Sequence, residues 1–93
     1  MAPTTDAVGA DLDRLVRRVR GFSPRIWQTG GRREAVRELA RRLAALTAGE
    51  RPLPSVPDHA LGDVLAVVGR DALDVGLTDD VAELVAEGLS ATR

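Results

Sequence analysis

Four apolar stripes at helical spacing, the absence of any alternating strand pattern, and glycine or proline punctuation between the stripes predict an all-α protein. The architecture expected is a small four-helix bundle with helices near residues 5–20, 32–47, 57–75 and 79–91. At 93 residues the chain has room for one cored domain, placed at 5–91 between a disordered start (1–4) and a frayed end (92–93). Its apolar residues are dominated by 14 Ala, 12 Leu and 11 Val, so the core must be built almost without aromatic bulk.

The first helix carries Val8, Leu12, Leu15, Val16 and Val19 on one face. Thr5 or Asp6 is placed to cap its start, Arg17, Arg18 and Arg20 complement its negative end, and Gly21 stops it. Ser23-Pro24 then pairs a capping residue with a first-turn proline, which predicts one short helical turn over Arg25, Ile26 and Trp27 in an otherwise irregular stretch. The second helix has Val36, Leu39, Ala40, Leu43 and Leu46 on its face, together with Glu34–Arg37 and Glu38–Arg41 or Glu38–Arg42 at stabilising spacings. Prolines 52, 54 and 57 exclude helix from Glu50 to Pro57 and make that stretch a stiff extended connector.

Ser55 or Asp58 is expected to cap the third helix. Leu61, Val64, Leu65, Val68 and Ala72 form its face with Val67 and Leu73 beside it, the widest apolar face in the chain and so the most buried helix expected. Gly62 and Gly69 lie seven apart in its interior, where each costs up to about 1 kcal/mol against alanine, a pattern that calls for a neighbouring helix at close approach. Gly76-Leu77 makes a tight turn, and Thr78 caps a fourth helix striped by Val81, Leu84, Val85 and Leu89. So short a turn predicts that the last two helices form an antiparallel hairpin.

Composition excludes several chemistries. Without cysteine there is no disulfide, thiol nucleophile or thiolate metal site, and without lysine there is no Schiff base or P-loop cation. The sole histidine, His59, stands beside Asp58 at a helix start and has no serine with a nucleophile signature to serve. No Glu-x-x-His pair marks a di-metal bundle. The chain therefore reads as a non-enzyme without cofactor or metal. No apolar run approaches the ~20 residues of a membrane span, and no basic-then-apolar leader is visible, so the expected location is cytoplasmic.

Charge is unevenly divided. Residues 1–51 carry a net +5 and residues 52–93 a net −6, within a chain whose formal net charge is −1. The simplest consequence is that basic and acidic helices pack side by side and their fields cancel at polar seams; the alternative keeps two poles apart, facing different partners or a second copy head to tail. Arg33, Arg37 and Arg41 share a stripe on the second helix. With Arg32 and the Gly30-Gly31 turn at that helix's N-terminus they compose an anion-binding candidate, because helix amides, dipole and guanidinium forks all favour phosphate or carboxylate. Phe22, Ile26 and Trp27 form the other candidate, an interface anchor or a plug folded over one end of the bundle.

These readings converge on a small cytoplasmic helical protein–protein interaction module, a subunit, adaptor or regulator, with a protein partner or self-association. The alternative is an arginine-mediated nucleic-acid or phosphate-ligand binding protein. It is disfavoured by a pI near 5.7 and by the lack of aromatic stacking platforms.

Overall fold

Helix formation follows the stripes, with one displaced start: the third expected helix begins at Leu61 and not near 57, because a 3-10 turn over Asp58–Ala60 follows Pro57. The computed structural model describes residues 2–49 and 53–93; Met1, Glu50, Arg51 and Pro52, and with them parts of the expected N-terminal segment and connector, lie outside the described residues. The elements are α1 (Thr5–Arg20), α2 (Pro24–Trp27), α3 (Arg32–Ala48), a 3-10 turn (Asp58–Ala60), α4 (Leu61–Asp74) and α5 (Thr78–Ala91), with no strand among the described residues.

The caps differ from expectation by a residue or more. Thr4, not Thr5 or Asp6, caps α1 by accepting from the Ala7 amide at 3.1 Å. Ser23 caps α2 as expected, accepting from the Ile26 amide at 3.3 Å. Thr78 is already inside α5, and its hydroxyl lies 3.1 Å from that of Thr5, tying the starts of α1 and α5 together. Neither Ser55 nor Asp58 makes a side-chain cap, and α4 is entered through the 3-10 turn.

The cross-helix contacts give the directions. Arg20 meets Asp63 near the C-terminal end of α1 and the start of α4, and Arg70 meets Asp13, so α1 and α4 run antiparallel. Thr5–Thr78 at one end and Arg18 on the Leu89 carbonyl at the other make α1 and α5 parallel. Arg42 meets Glu87, and Arg32 near the start of α3 donates to the Arg93 carbonyl, so α3 and α5 are antiparallel. Arg33 reaches Asp58, which makes α3 and α4 parallel. Two helices therefore point each way, and the connector between α3 and α4 must run back along their length, which an extended proline-containing segment can span.

The extensive interfaces are α3–α4, α1–α4, α1–α5 and α3–α5; the α4–α5 interface is smaller than any of these. The two helices of the expected C-terminal hairpin are joined by the Val75–Leu77 turn and run in opposite directions, but they spend most of their apolar surface on α1 and α3 instead of on each other. One reason is the placement of glycine. A Cβ on Gly69 would stand 2.6 and 2.8 Å from the two methyls of Leu12 in α1, and one on Gly62 would stand 2.7 Å from Arg20 Cγ. A Cβ on Gly88 of α5 would stand 2.5 Å from Leu39 Cδ2 in α3 and 2.9 Å from Leu15 Cδ2 in α1. The glycines open α4 and α5 toward α1 and α3, and the leucines fill the space.

The core is one cluster in which Leu12, Leu15, Val36, Leu43, Leu65, Ala72 and Val81 have no measurable exposure. Thr92, assigned by sequence to a frayed end, is 4 % exposed: its hydroxyl donates to the Gly88 carbonyl at 2.7 Å and lies 3.3 Å from Arg18 Nη1. Arg18 thereby supplies positive charge to the carbonyl end of α5, where it is stabilising.

The two kinds of glycine contact separate in a stability experiment. Gly88→Ala should lower stability by about 1–2 kcal/mol, because its methyl meets two buried leucines and the overpacking exceeds the gain in helix propensity. Gly62→Ala should be neutral or stabilising by up to about 1 kcal/mol, since the exposed Arg20 side chain can move aside. Chemical denaturation of the two variants reads both.

Candidate functional site

The arginine stripe of α3 folds back onto the chain itself. Arg33 Nε lies 3.0 and 2.9 Å from the two carboxylate oxygens of Asp58, and its Nη2 is 2.7 Å from Oδ2. Arg37 Nη2 donates to the Val56 carbonyl at 3.0 Å and to Asp58 Oδ1 at 3.2 Å. Because Arg33 and Arg37 are one helical turn apart, both guanidinium groups reach one carboxylate, and the end of the connector is held against the first half of α3. Hydrogen bonding from Arg33 holds the Asp58 carboxyl below its ordinary range, with Arg37 adding to it against the opposing effect of partial burial. The same pair raises the Arg33 guanidinium. Arg41 is bidentate to Glu38 at 2.9 and 2.5 Å, and that hydrogen bond lowers the Glu38 carboxyl.

The remaining members of the anion candidate are placed as follows. Gly30 and Gly31 both have left-handed backbone, φ 66° and 70°, a conformation that an L side chain rarely adopts. Gly31 is the N-cap of α3, while the Thr29 hydroxyl turns away and donates to the Arg25 carbonyl. Arg32 donates to the carbonyls of Thr29 and Arg93. Thus Arg33, Arg37 and Arg41 already face carboxylates, and an incoming phosphate would compete with Asp58 and Glu38. Arg32 points to the far side of the turn, so the six residues do not converge on one point.

The aromatic candidate divides. Trp27 is 5 % exposed and packs edge-on against Phe22, with ring centroids 5.0 Å apart and planes at 76°. These two plug the end of the bundle. Ile26 does not join them; it is 36 % exposed and lines an open hollow of about 310 Å³ with Phe22, Arg25, Thr29, Arg32, Thr92 and Arg93.

A different surface emerges that the sequence reading passed over. Leu53 and Pro54 of the connector lie beside Val64 on α4, and two adjoining grooves of about 340 and 300 Å³ share these three residues. The first continues to Val56, Leu61 and the α3 arginines Arg37 and Arg41. The second continues to Val67, Val68 and Asp63. α4 has the largest share of buried residues among the four long helices, as its wide apolar face predicts, yet Val67 on it is 60 % exposed. The signal was that width. Leu61, Leu65, Ala72 and Leu73 already fill one buried face, and Val64, Val67 and Val68 extend beyond it, more apolar surface than two neighbouring helices cover.

No protein-family model, no curated protein and no solved structure matches the chain. Among the described residues there is no cluster of three or more potential metal ligands, and no helix is long and apolar enough to cross a membrane.

Removing the Asp58 clamp should cost stability in a pH-dependent way. Its lowered carboxyl contributes stability that is fully present above the ordinary carboxylate range and is lost as pH falls through the depressed value. Asp58→Asn should therefore melt earlier than wild type at neutral pH, by the equivalent of about 1 kcal/mol for a partly exposed charged pair, and the difference should close as pH falls below about 4. Trp27→Ala should cost about 3–5 kcal/mol, as for other buried aromatics, whereas Ile26→Ser should leave the melting curve nearly unchanged.

Proposed function

We propose that this chain is a small helical protein–protein interaction module, acting in the cytoplasm, which takes a segment of a partner protein into the apolar strip formed by Leu53, Pro54, Val64, Val67 and Val68. The observation that carries the reading is that strip: Val67 widely exposed, with Leu53, Pro54, Val64 and Val68 contiguous to it and only partly covered by the core they pack on. Exposed apolar surface of this kind, rimmed by charge, marks interaction sites in small proteins. Here the rim is Arg37 and Arg41 on one side and Asp63 on the other.

The strip is preorganised. Pro54 restricts the connector backbone, and Asp58 anchors the connector to α3 through two arginines. A rigid wall reduces the ordering entropy lost on binding. Its partner segment is one presenting aliphatic side chains along one edge, as an amphipathic helix does when laid in a groove.

The test is retention of proteins from an extract of the source cells on immobilised wild type and on Val67→Glu, followed by reconstitution with the purified candidate. A true partner should bind wild type at least about tenfold more tightly, since a carboxylate would be buried in the apolar contact. Equal binding by both proteins, with equal melting temperatures, overturns the reading.

A further inference from the structure

Two of the three large hydrophobic side chains exposed among the described residues, Ile26 and Val75, lie at opposite ends of the bundle. The charges around them have opposite signs. Ile26 stands at the end where α1 and α5 finish and α3 begins, in the hollow lined by Phe22, Arg25, Arg32 and Arg93. The side chains of Arg17, Arg25 and Arg93 enter no ion pair among the described residues; Arg18 is bound to the Leu89 carbonyl and the Thr92 hydroxyl, and Arg32 to the Thr29 carbonyl and the main-chain oxygen of Arg93. Glu34 is the exposed acid without an ion pair near that end. Val75, 65 % exposed, stands at the other end in the α4–α5 turn, flanked by Asp71, Asp74 and Asp79 and with Asp6 at the neighbouring start of α1. These four exposed carboxylates likewise enter no ion pair among the described residues.

The pattern has a physical origin. The seams between helices neutralise charge along the sides, through Arg20–Asp63, Arg33–Asp58, Arg42–Glu87 and Arg70–Asp13. With two helices pointing each way, the helix dipoles cancel pairwise at each end. What remains is set by unpaired side chains, a cationic end with an apolar hollow and an anionic end with an apolar knob.

We infer that the protein associates with a second copy of itself head to tail, the Val75 turn of one molecule seating against Ile26 and Phe22 of the next while Asp74 and Asp79 face Arg25 and Arg32. Both the apolar and the charged halves of the contact are complementary, and the contact uses different residues at its two sides. It is therefore heterologous and propagates into chains or rings instead of stopping at a symmetric dimer. The end faces of a chain this small bury little area, so the association is weak and carried largely by charge, with strong salt dependence. This surface is separate from the Leu53–Val68 strip, and neither inference depends on the other.

The experiment is sedimentation equilibrium of the whole chain over a wide concentration range at low salt and again at about 1 M salt, where the screening length falls to about 3 Å. Wild type should show a mass average that rises with concentration at low salt and returns to the monomer at high salt. Arg25→Glu/Ile26→Glu disables one end and Asp74→Arg/Val75→Arg the other; each changes exposed positions only, and circular dichroism melting confirms the fold. Each variant alone should remain monomeric, and an equimolar mixture should recover a dimer containing one of each, because each supplies the end that the other lacks. Monomeric wild type at low salt, or association that persists in both variants, overturns the proposal. Persistence abolished by Val67→Glu would assign self-association to the apolar strip instead.

Discussion

A core made of leucine, valine and alanine holds together only if its helices come close. With almost no aromatic bulk, a wider spacing would leave voids and forfeit the dispersion contacts that each aliphatic side chain supplies. Gly62, Gly69 and Gly88 are where this closeness is obtained. At each of them the position a Cβ would take is occupied by a side chain of α1 or α3. That closeness is obtained between α4 and α1 and between α5 and both α1 and α3, while the α4–α5 interface stays small; in the resulting arrangement α3 and α4 run parallel.

The parallel pair creates the most consequential piece of irregular structure. The end of α3 and the start of α4 lie at opposite ends of the bundle, and the described part of the connector between them, residues 53–57, is non-helical and anchored at its end. Asp58 anchors it, gripped by Arg33 and Arg37, and Leu53 and Val56 pack on the core from outside. The connector consequently lies beside α4 and forms, with Val64, Val67 and Val68, the apolar strip on which the proposed partner site rests. The arginine stripe, an attractive phosphate site on paper, is used to hold the chain's own return path.

Much of this was legible in the residues. The helices begin and end within a few residues of where the stripes and breakers place them, the short turn at Pro24–Trp27 follows from Ser23-Pro24, and the glycine spacing in α4 announced close approach. The functional candidates were less legible. The local pattern marks Arg33 and Arg37 as an anion stripe and Asp58 as a helix cap but does not join them; their clamp exists because residues 21 and 25 positions apart are brought together by the return of the connector. Ile26 and Trp27 are adjacent in sequence, yet one is an exposed wall and the other a buried plug, a difference set by which side of a single helical turn faces the bundle.

The sequence by itself determined that the chain is helical, where its helices lie and which face of each is apolar, because periodicity and capping are local properties. Only the tertiary structure decided which faces meet, how the helices are directed, which charges cancel and which apolar side chains remain uncovered. Helix–helix packing is a choice among faces of similar hydrophobicity, and here Gly69 and Gly88 are positions where leucines of α1 and α3 approach closely. The segregation of unpaired arginine and aspartate to opposite ends has the same origin. No local signal distinguishes Arg25 from Arg33, or Asp74 from Asp63, until the fold has paired one of each and left the other exposed.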